Sequence, residues 1–269
     1  MDLLRRELAP ITDKAWEEIK TEAKNTLGLN LSGRRIVDMP GPRGLEYAAV
    51  NLGRLEVPEG QEERLRYGIR RVLPLIEVRV PFELDLWELD NVDRGAEDAD
   101  LDDLRRAARQ LARFEERAIY EGFPDAAIEG LTASSEFDPV SVKPAPGALA
   151  EAVTRAVLRM RYADVAGPYA LALGAALYQW LDAGSEHGYP IRKRIGAQIE
   201  GPIVLAPYLE GGVLISRRGG DAELVLGQDI SIGYQDHDEG KVRLYLTESF
   251  TFRVLSPEAL VVLRNEGVD

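Results

Sequence analysis

Strict alternation is the clearest pattern in this chain. Ile76, Val78, Val80, Phe82, Leu84 and Leu86 alternate with Glu77, Arg79, Pro81, Glu83, Asp85 and Trp87. A period of two sets the apolar residues on one face of a strand. The run is about twice the length of an ordinary strand. Pro81 has no amide proton to give to a ladder, which places the run at an edge or a bend. A long, half-polar strand with a proline suits an arm that reaches across a neighbouring subunit.

Elsewhere the spacing switches to three and four. Trp16, Ile19, Ala23 and Leu27 predict a helix from Thr12 to Leu27, with Thr12 or Asp13 as its cap and Gly28 as its stop. A longer helix is predicted from Asp100 to Glu121, before Gly122 and Pro124. Leu104, Ala108, Leu111, Ala118 and Ile119 mark its apolar face; Arg105, Arg106, Arg109, Glu115 and Glu116 mark the polar one. Shorter helices are predicted at 147–160, 175–183 and 191–199, and a strand at 168–173. The glycine- and proline-rich stretch 31–57 reads as turns and short strands, and 184–190 as a loop. From Ile203 onward the pattern is strands, with Val242, Leu244, Leu246, Phe250, Phe252 and Val254 holding one phase. Helices and strands are segregated, so the fold class is α+β.

The chain has 269 residues, enough for one large domain or two small ones. Its 45% hydrophobic content argues against wholesale disorder. There is no cysteine, which excludes disulfides, thiolate metal sites and cysteine nucleophiles. A formal net charge of −13 gives no field that would draw a phosphate backbone, so nucleic acid is not an expected partner. No apolar core follows the first charged residues, and no apolar run approaches a membrane span. The expectation is a soluble, cytoplasmic protein.

Catalytic chemistry is sparse. His237 sits in an acidic turn and His187 in a glycine-flanked loop, and neither has a visible set of metal-ligand partners. No nucleophile elbow is present. Arg217-Arg218-Gly219-Gly220-Asp221 is neither a phosphate loop nor a dinucleotide fingerprint. Trp87 reads as a strand-end aromatic packed on a neighbour. The pattern favours a structural protein over an enzyme, with no catalytic and no metal residues.

Several ordered segments resemble one family. They include Gly33-Arg34-Arg35-Ile36-Val37-Asp38, Glu46-Tyr47-Ala48-Ala49, Leu73-Pro74-Leu75-Ile76-Glu77 and Leu84-Asp85-Leu86-Trp87-Glu88-Leu89-Asp90-Asn91. Further along come Arg218-Gly219-Gly220-Asp221, Leu226-Gly227-Gln228-Asp229-Ile230-Ser231-Ile232-Gly233-Tyr234 and Thr247-Glu248-Ser249-Phe250-Thr251-Phe252. Together they are similar to encapsulin shell proteins, also known under linocin and bacteriocin names, over essentially the whole chain. The resemblance implies the tailed-phage major capsid protein (HK97-like) fold. Its division here would be an N-terminal helix and the start of the peripheral domain (1–45), an extended loop (46–80), the peripheral domain with its spine helix (81–138), an apical domain (139–225) and a return to the peripheral domain (226–269).

The implied function is a subunit of a self-assembling icosahedral shell, in the smallest T=1 form, which encloses cargo enzymes through their C-terminal targeting peptides. A dye-decolorising peroxidase or a ferritin-like protein would be such cargo. By motif, the resemblance assigns cargo-peptide binding to Arg34, Ile36, Asp38, Asp229 and Ile230. It sets Gly184, Ser185, Glu186, His187 and Gly188 around a five-fold pore, and it raises a flavin contact at Trp87 with no other cofactor. The competing readings are a phage capsid subunit, which would share the fold, and a bacteriocin-like hydrolase, which would need a catalytic set.

Overall fold

Thr12 starts the first helix as its spacing predicts: Thr12 Oγ1 accepts a hydrogen bond from the Ala15 amide. In the computed structural model, which describes residues 3–62, 64–143, 145–186 and 189–267, this helix, α1, spans Asp13–Asn30 and runs straight through Gly28. Its stripe of Ala15, Trp16, Ile19, Ala23 and Leu27 is buried. That packing outweighs the propensity cost of one glycine, about 1 kcal/mol.

After α1 come β1 (Ala49–Glu56), β2 (Ile69–Pro74), β3 (Ile76–Asp85), α2 (Leu86–Arg94), α3 (Asp102–Tyr120), β4 (Gly122–Phe123), β5 (Ile128–Glu129), α4 (Leu131–Ser134) and β6 (Val140–Val142). Next are α5 (Pro146–Tyr162), β7 (Tyr169–Leu173), α6 (Ala175–Ala183), β8 (Ser185–Glu186), β9 (Tyr189–Pro190) and α7 (Ile191–Ile199). The chain then runs through β10 (Ile203–Leu205), β11 (Gly212–Ser216), β12 (Ala222–Leu226), β13 (Ser231–His237), β14 (Lys241–Val254) and β15 (Leu260–Asn265).

Two sheets organise these elements. In the first, β14 pairs with β12 and then β13 along one edge, and with β3 along the other. Helices α1 and α3 pack on this sheet; Ile19, Leu104, Ala108 and Leu111 meet Phe82, Leu84, Leu244 and Leu246 in one buried cluster. The second sheet has the order β10-β7-β11-β15-β6. One of its faces is covered by α5, α6 and α7. The other carries Ala170, Ala172, Val213 and Ile215 against Ile119, Tyr120, Phe250 and Phe252, so the two sheets share a core. Both faces of β7 are therefore buried, which explains its unbroken apolar sequence.

The alternating run is not an arm. β3 pairs within its own chain over ten registered positions of β14, and Val80, Phe82 and Leu84 point into the core. Pro81 is accommodated because β3 is an edge strand. The open element is the β1–β2 ribbon: among the described residues its strands pair only with each other, and Leu55, Ile69 and Val72 in them and Val57 just after β1 are exposed. Trp87 does not end a strand either; it lies in the first turn of α2, where Asp85 Oδ1 accepts from the Trp87 and Glu88 amides. Glu115 and Glu116, expected on the polar face of α3, are fully buried. The strands also cross the expected divisions of the chain. β12 sits in the sheet with β14, and β15 sits in the five-stranded sheet.

Candidate functional site: a groove beside the first helix

The residues of one groove come from three elements. After α1, the chain makes a 3₁₀ turn, Gly33–Arg35. This turn must lie close on α3, because a Cβ at Gly33 would meet Ile119 Cδ1 at 2.8 Å. The close approach lets the Gly33 amide donate to Glu116 Oε1 at 2.7 Å, and Ser32 Oγ donates to the other oxygen. Arg34 is thereby aimed between α3 and the β14 sheet.

Arg34 gathers three carboxylates. Its Nε donates to both oxygens of Glu115 at 2.9 Å, and Nη2 reaches Glu115 Oε2 at 2.5 Å. Nη2 also donates to Glu248 Oε2 at 3.0 Å, and Nη1 to Asp229 Oδ1 at 2.7 Å. Glu115 and Glu248 are buried, while the Asp229 side chain is 48% exposed. Burial works against the charge on Arg34, but Glu115, Glu248 and Asp229 outweigh it and hold the guanidinium more firmly protonated than usual.

Burial and the nearby Glu115 charge push Glu248 well above the ordinary carboxylate range, against the pull of Arg34. Among the described residues its Oε1 has no partner. Burial also raises Glu116 to about 7, opposed by the bonds from Ser32 and Gly33.

Above this network lies a groove of about 370 Å³. Ala23, Leu27 and Leu31 form one wall, and Ile230, Ile232 and Leu246 form the other. Arg6, Lys20 and Lys24 stand at its rim, while Arg34 and Asp229 close one end. The N-terminal segment completes it: Leu4 O accepts from the Tyr234 amide at 2.8 Å, and Arg6 Nε donates to Ile232 O at 2.7 Å. An apolar cleft of this size with a few oriented polar groups can hold aliphatic side chains of a short extended peptide.

The five residues assigned from the motifs separate here. Arg34, Asp229 and Ile230 line the groove. Ile36 is 1% exposed and packs in the shared core. Asp38 accepts from the Gly220 amide at 2.6 Å and bridges to β12, away from the groove. The groove residues Arg6, Lys20, Lys24, Leu27 and Ile232 were not singled out from sequence; the signal for Leu27 was already in the apolar stripe of α1.

Of the loop assigned to a pore, Gly184 O accepts from the Ile191 amide, and Ser185 and Glu186 pair with Tyr189 and Pro190 as a small hairpin. His187 and Gly188 lie outside the described residues. Trp87 is 72% exposed. Asp85, Glu88 and Asp90 are its neighbours in sequence, and Arg94 is already bonded to Asn91. One chain thus offers a flavin a stacking face but no built phosphate site. Among the described residues, no group of three or more His, Asp or Glu side chains is arranged to hold a metal. No described helix is long and apolar enough to cross a membrane.

The fold is that of viral shells. A virus-like particle from Pyrococcus furiosus superposes with a TM-score of 0.65 over 93% of this chain and 99% of its own, at 17% identity. The capsid of the myovirus XM1 gives 0.56 over 88% and 92%, at 11% identity. In sequence, the family model described as "Encapsulating protein for peroxidase" (Linocin_M18) matches residues 1–251. The type 1 encapsulin shell protein of Rhodospirillum rubrum is 46% identical, across 98% of this chain and 97% of that protein. That of Mycobacterium tuberculosis is 40% identical, across 98% and 99%. A capsid fold carried on a sequence this close to shell proteins from end to end leaves one assignment: the chain belongs to the encapsulin shell-protein family.

Proposed function

We propose that this subunit assembles into a closed icosahedral compartment and captures cargo in the α1 groove through a short, apolar peptide at the cargo's C-terminus. Membership of the shell-protein family and the capsid fold support a self-assembling subunit. The observation that carries the cargo reading is the groove itself. Its walls are aliphatic, and its polar end is fixed by the buried Arg34 network. Side chains held this firmly give a pre-organised surface, and little ordering entropy is lost on binding.

Assembly needs surfaces that a lone subunit leaves open, and the β1–β2 hairpin supplies one. A two-stranded ribbon with exposed Leu55, Val57, Ile69 and Val72 is marginal by itself and gains by lying on a second copy. The same reading puts the Gly184–Gly188 loop around a five-fold opening, supported by the pairing of Ser185 and Glu186 with Pro190 and Tyr189 between α6 and α7. A peroxidase or a ferritin-like enzyme is the proposed class of cargo.

The test has two stages. The protein expressed alone should elute at megadalton mass and show uniform hollow particles by negative-stain electron microscopy. A reporter carrying a leucine-containing C-terminal tag should then co-purify with the particles, and Leu27→Asp should abolish that co-purification. A monomer or small oligomer would sink the shell; loading unaffected by Leu27→Asp would sink the groove.

A further inference from the structure

One cation serves three acids at the closed end of the groove. Arg34 reaches Glu115, Glu248 and Asp229, and the first two have no exposed side-chain surface. Glu115 and Glu248 accept from the same nitrogen, Nη2, so two buried carboxyl groups crowd one donor. With both ionised, the buried part of this network has two negative charges against one positive, and little water to screen the excess.

One proton removes that excess, and the contacts say which acid takes it. Glu115 accepts three hydrogen bonds from Arg34. Glu248 accepts one, and its Oε1 has no partner among the described residues. Glu248 is the carboxylate held less firmly by the cation. Burial and the Glu115 charge favour its neutral form, against the pull of Arg34.

Asp229 connects this proton to the groove. Its Oδ1 accepts from Arg34 Nη1 and from the Ile230 amide, both at 2.7 Å. Ile230 belongs to the groove wall, as does Leu246, two positions from Glu248 on the same face of β14. With Glu248 neutral, Arg34 has charge to share with Asp229, and the turn that carries Ile230 is tied down. With Glu248 ionised, a second buried anion competes for the guanidinium and repels Asp229, whose half-exposed side chain can turn to solvent.

An occupant acts on the proton in return. It covers the groove end, removes water from above Arg34 and Asp229, and makes an unbalanced charge beneath them more costly. Docking and protonation then favour each other.

Resting on the peptide-docking reading, we propose that Glu248 is a positioning residue: its proton sets the groove wall through Arg34 and Asp229, so docking is tightest with Glu248 neutral and draws a proton from solvent. Other charged groups nearby face elsewhere. Glu116 of α3 is turned to Ser32 and Gly33, and Arg6, Lys20 and Lys24 stand at the rim. From β3, Val78 lies opposite Glu248, while Glu77 and Arg79 pair with each other on the other face.

The test uses shells loaded by co-expression with a small amount of fluorescent reporter bearing a leucine-containing C-terminal tag. Time-resolved anisotropy separates reporter fixed to the wall from reporter tumbling in the lumen, which needs no exchange of reporter across the shell. From about pH 5 to pH 9, the docking constant should fall about three- to tenfold. By reciprocity, the occupant strengthens proton binding at Glu248 by the same factor. Glu248→Gln, which fixes a neutral side chain, should give a flat profile. Asp229→Asn should flatten it too, because the charge that Glu248 repels is gone, while Glu248 still titrates. Infrared spectroscopy reads that titration directly. The carboxylic-acid C=O band that persists at neutral pH should lose one component in Glu248→Gln and keep it in Asp229→Asn.

A flat profile in the parent, an equal slope in Glu248→Gln, or a band that this substitution leaves unchanged would overturn the proton linkage and leave the docking reading standing. A slope abolished by Glu116→Gln would overturn it as well, by moving the effect to that carboxyl. If serine in place of each tag leucine gives the same anisotropy at every pH, the docking reading itself falls, and this inference with it. Electron microscopy checks that each variant forms intact shells. Should Glu248→Gln fail to assemble, the parent's infrared titration and the Asp229→Asn profile decide.

Discussion

Arg34 and Glu115 form a fork-to-fork pair across 81 positions of sequence, with Nε 2.9 Å from both carboxylate oxygens. Glu115 has no exposed side-chain surface and Arg34 has 14%. A buried pair of this kind is costly to break from one side, because the remaining charge loses its partner in a place that water cannot reach. Arg34→Met is expected to destabilise the subunit by about 3–5 kcal/mol. Arg34→Lys should recover only part of that, since an ammonium lacks the fixed fork of donors with which the guanidinium reaches Glu115, Glu248 and Asp229 together. Chemical denaturation, followed by tryptophan fluorescence, measures both. A midpoint unchanged in Arg34→Met would show that the pair contributes nothing.

Glu116 makes stability fall with rising pH. Its carboxyl is held at about 7 against an ordinary 4.5, chiefly by burial. The folded chain therefore keeps a proton that the unfolded chain gives up. The contribution is fully present below about pH 4.5, is lost as pH rises through 7, and levels off above it. A shift of that size is worth roughly 3 kcal/mol. Glu248 acts in the same direction. Thermal midpoints collected between pH 5 and 8 should fall, and Glu116→Gln should flatten the slope. An identical slope in that variant would assign the pH dependence elsewhere.

Gly28 sits in the interior of α1 and on the wall of the groove, with open space where a Cβ would go. Gly28→Ala should stabilise the helix by about 0.5–1 kcal/mol. Gly28→Trp should leave assembly intact but fill the groove mouth. Tag loading would drop several-fold while particle yield stays constant. Undiminished loading in Gly28→Trp would place the peptide somewhere else.

Gly122 ends α3 with φ +96°, and a Cβ there would meet Ile128 O at 2.7 Å and the Gly130 amide at 2.8 Å. Gly122→Ala combines left-handed strain with a clash against backbone, so a loss of at least about 2 kcal/mol is expected. Soluble yield and thermal midpoint report it. A variant as stable as the parent would mean that the β4–β5 turn can yield.

Periodicity alone located the long helices. α6 and α7 fall where their patterns predicted, because each presents a single apolar stripe to one core. α2 was hidden by the alternation running into it, though Asp85 and Glu88 have the spacing of a capping box, a sign that a helix begins there. The burial of Glu115 and Glu116 could not be read from the pattern of α3. A charged residue looks polar in any pattern, and what admits these two to the core is a turn 81 to 84 positions away. The same limit applies to the site. Arg34, Ile36 and Asp38 are neighbours in sequence, but the 3₁₀ turn sends them to a groove, a core and a loop. Capture of Arg34, Asp229 and Ile230 by one groove depends on the β13 and α1 contacts, which sequence order does not reveal.

Arg6 reaches Ile232 across 226 positions, and Leu4 lies on Tyr234 in the same way. Contacts of such long range form late, since loop closure must precede them. The groove wall that Arg6 completes is thus set only after β13 has found β14, when most of the subunit is in place. A half-folded chain, or one caught in a wrong pairing, has no finished groove. The two ends of the chain's sequence thus meet at one surface, and the shape of that surface reports whether folding is complete.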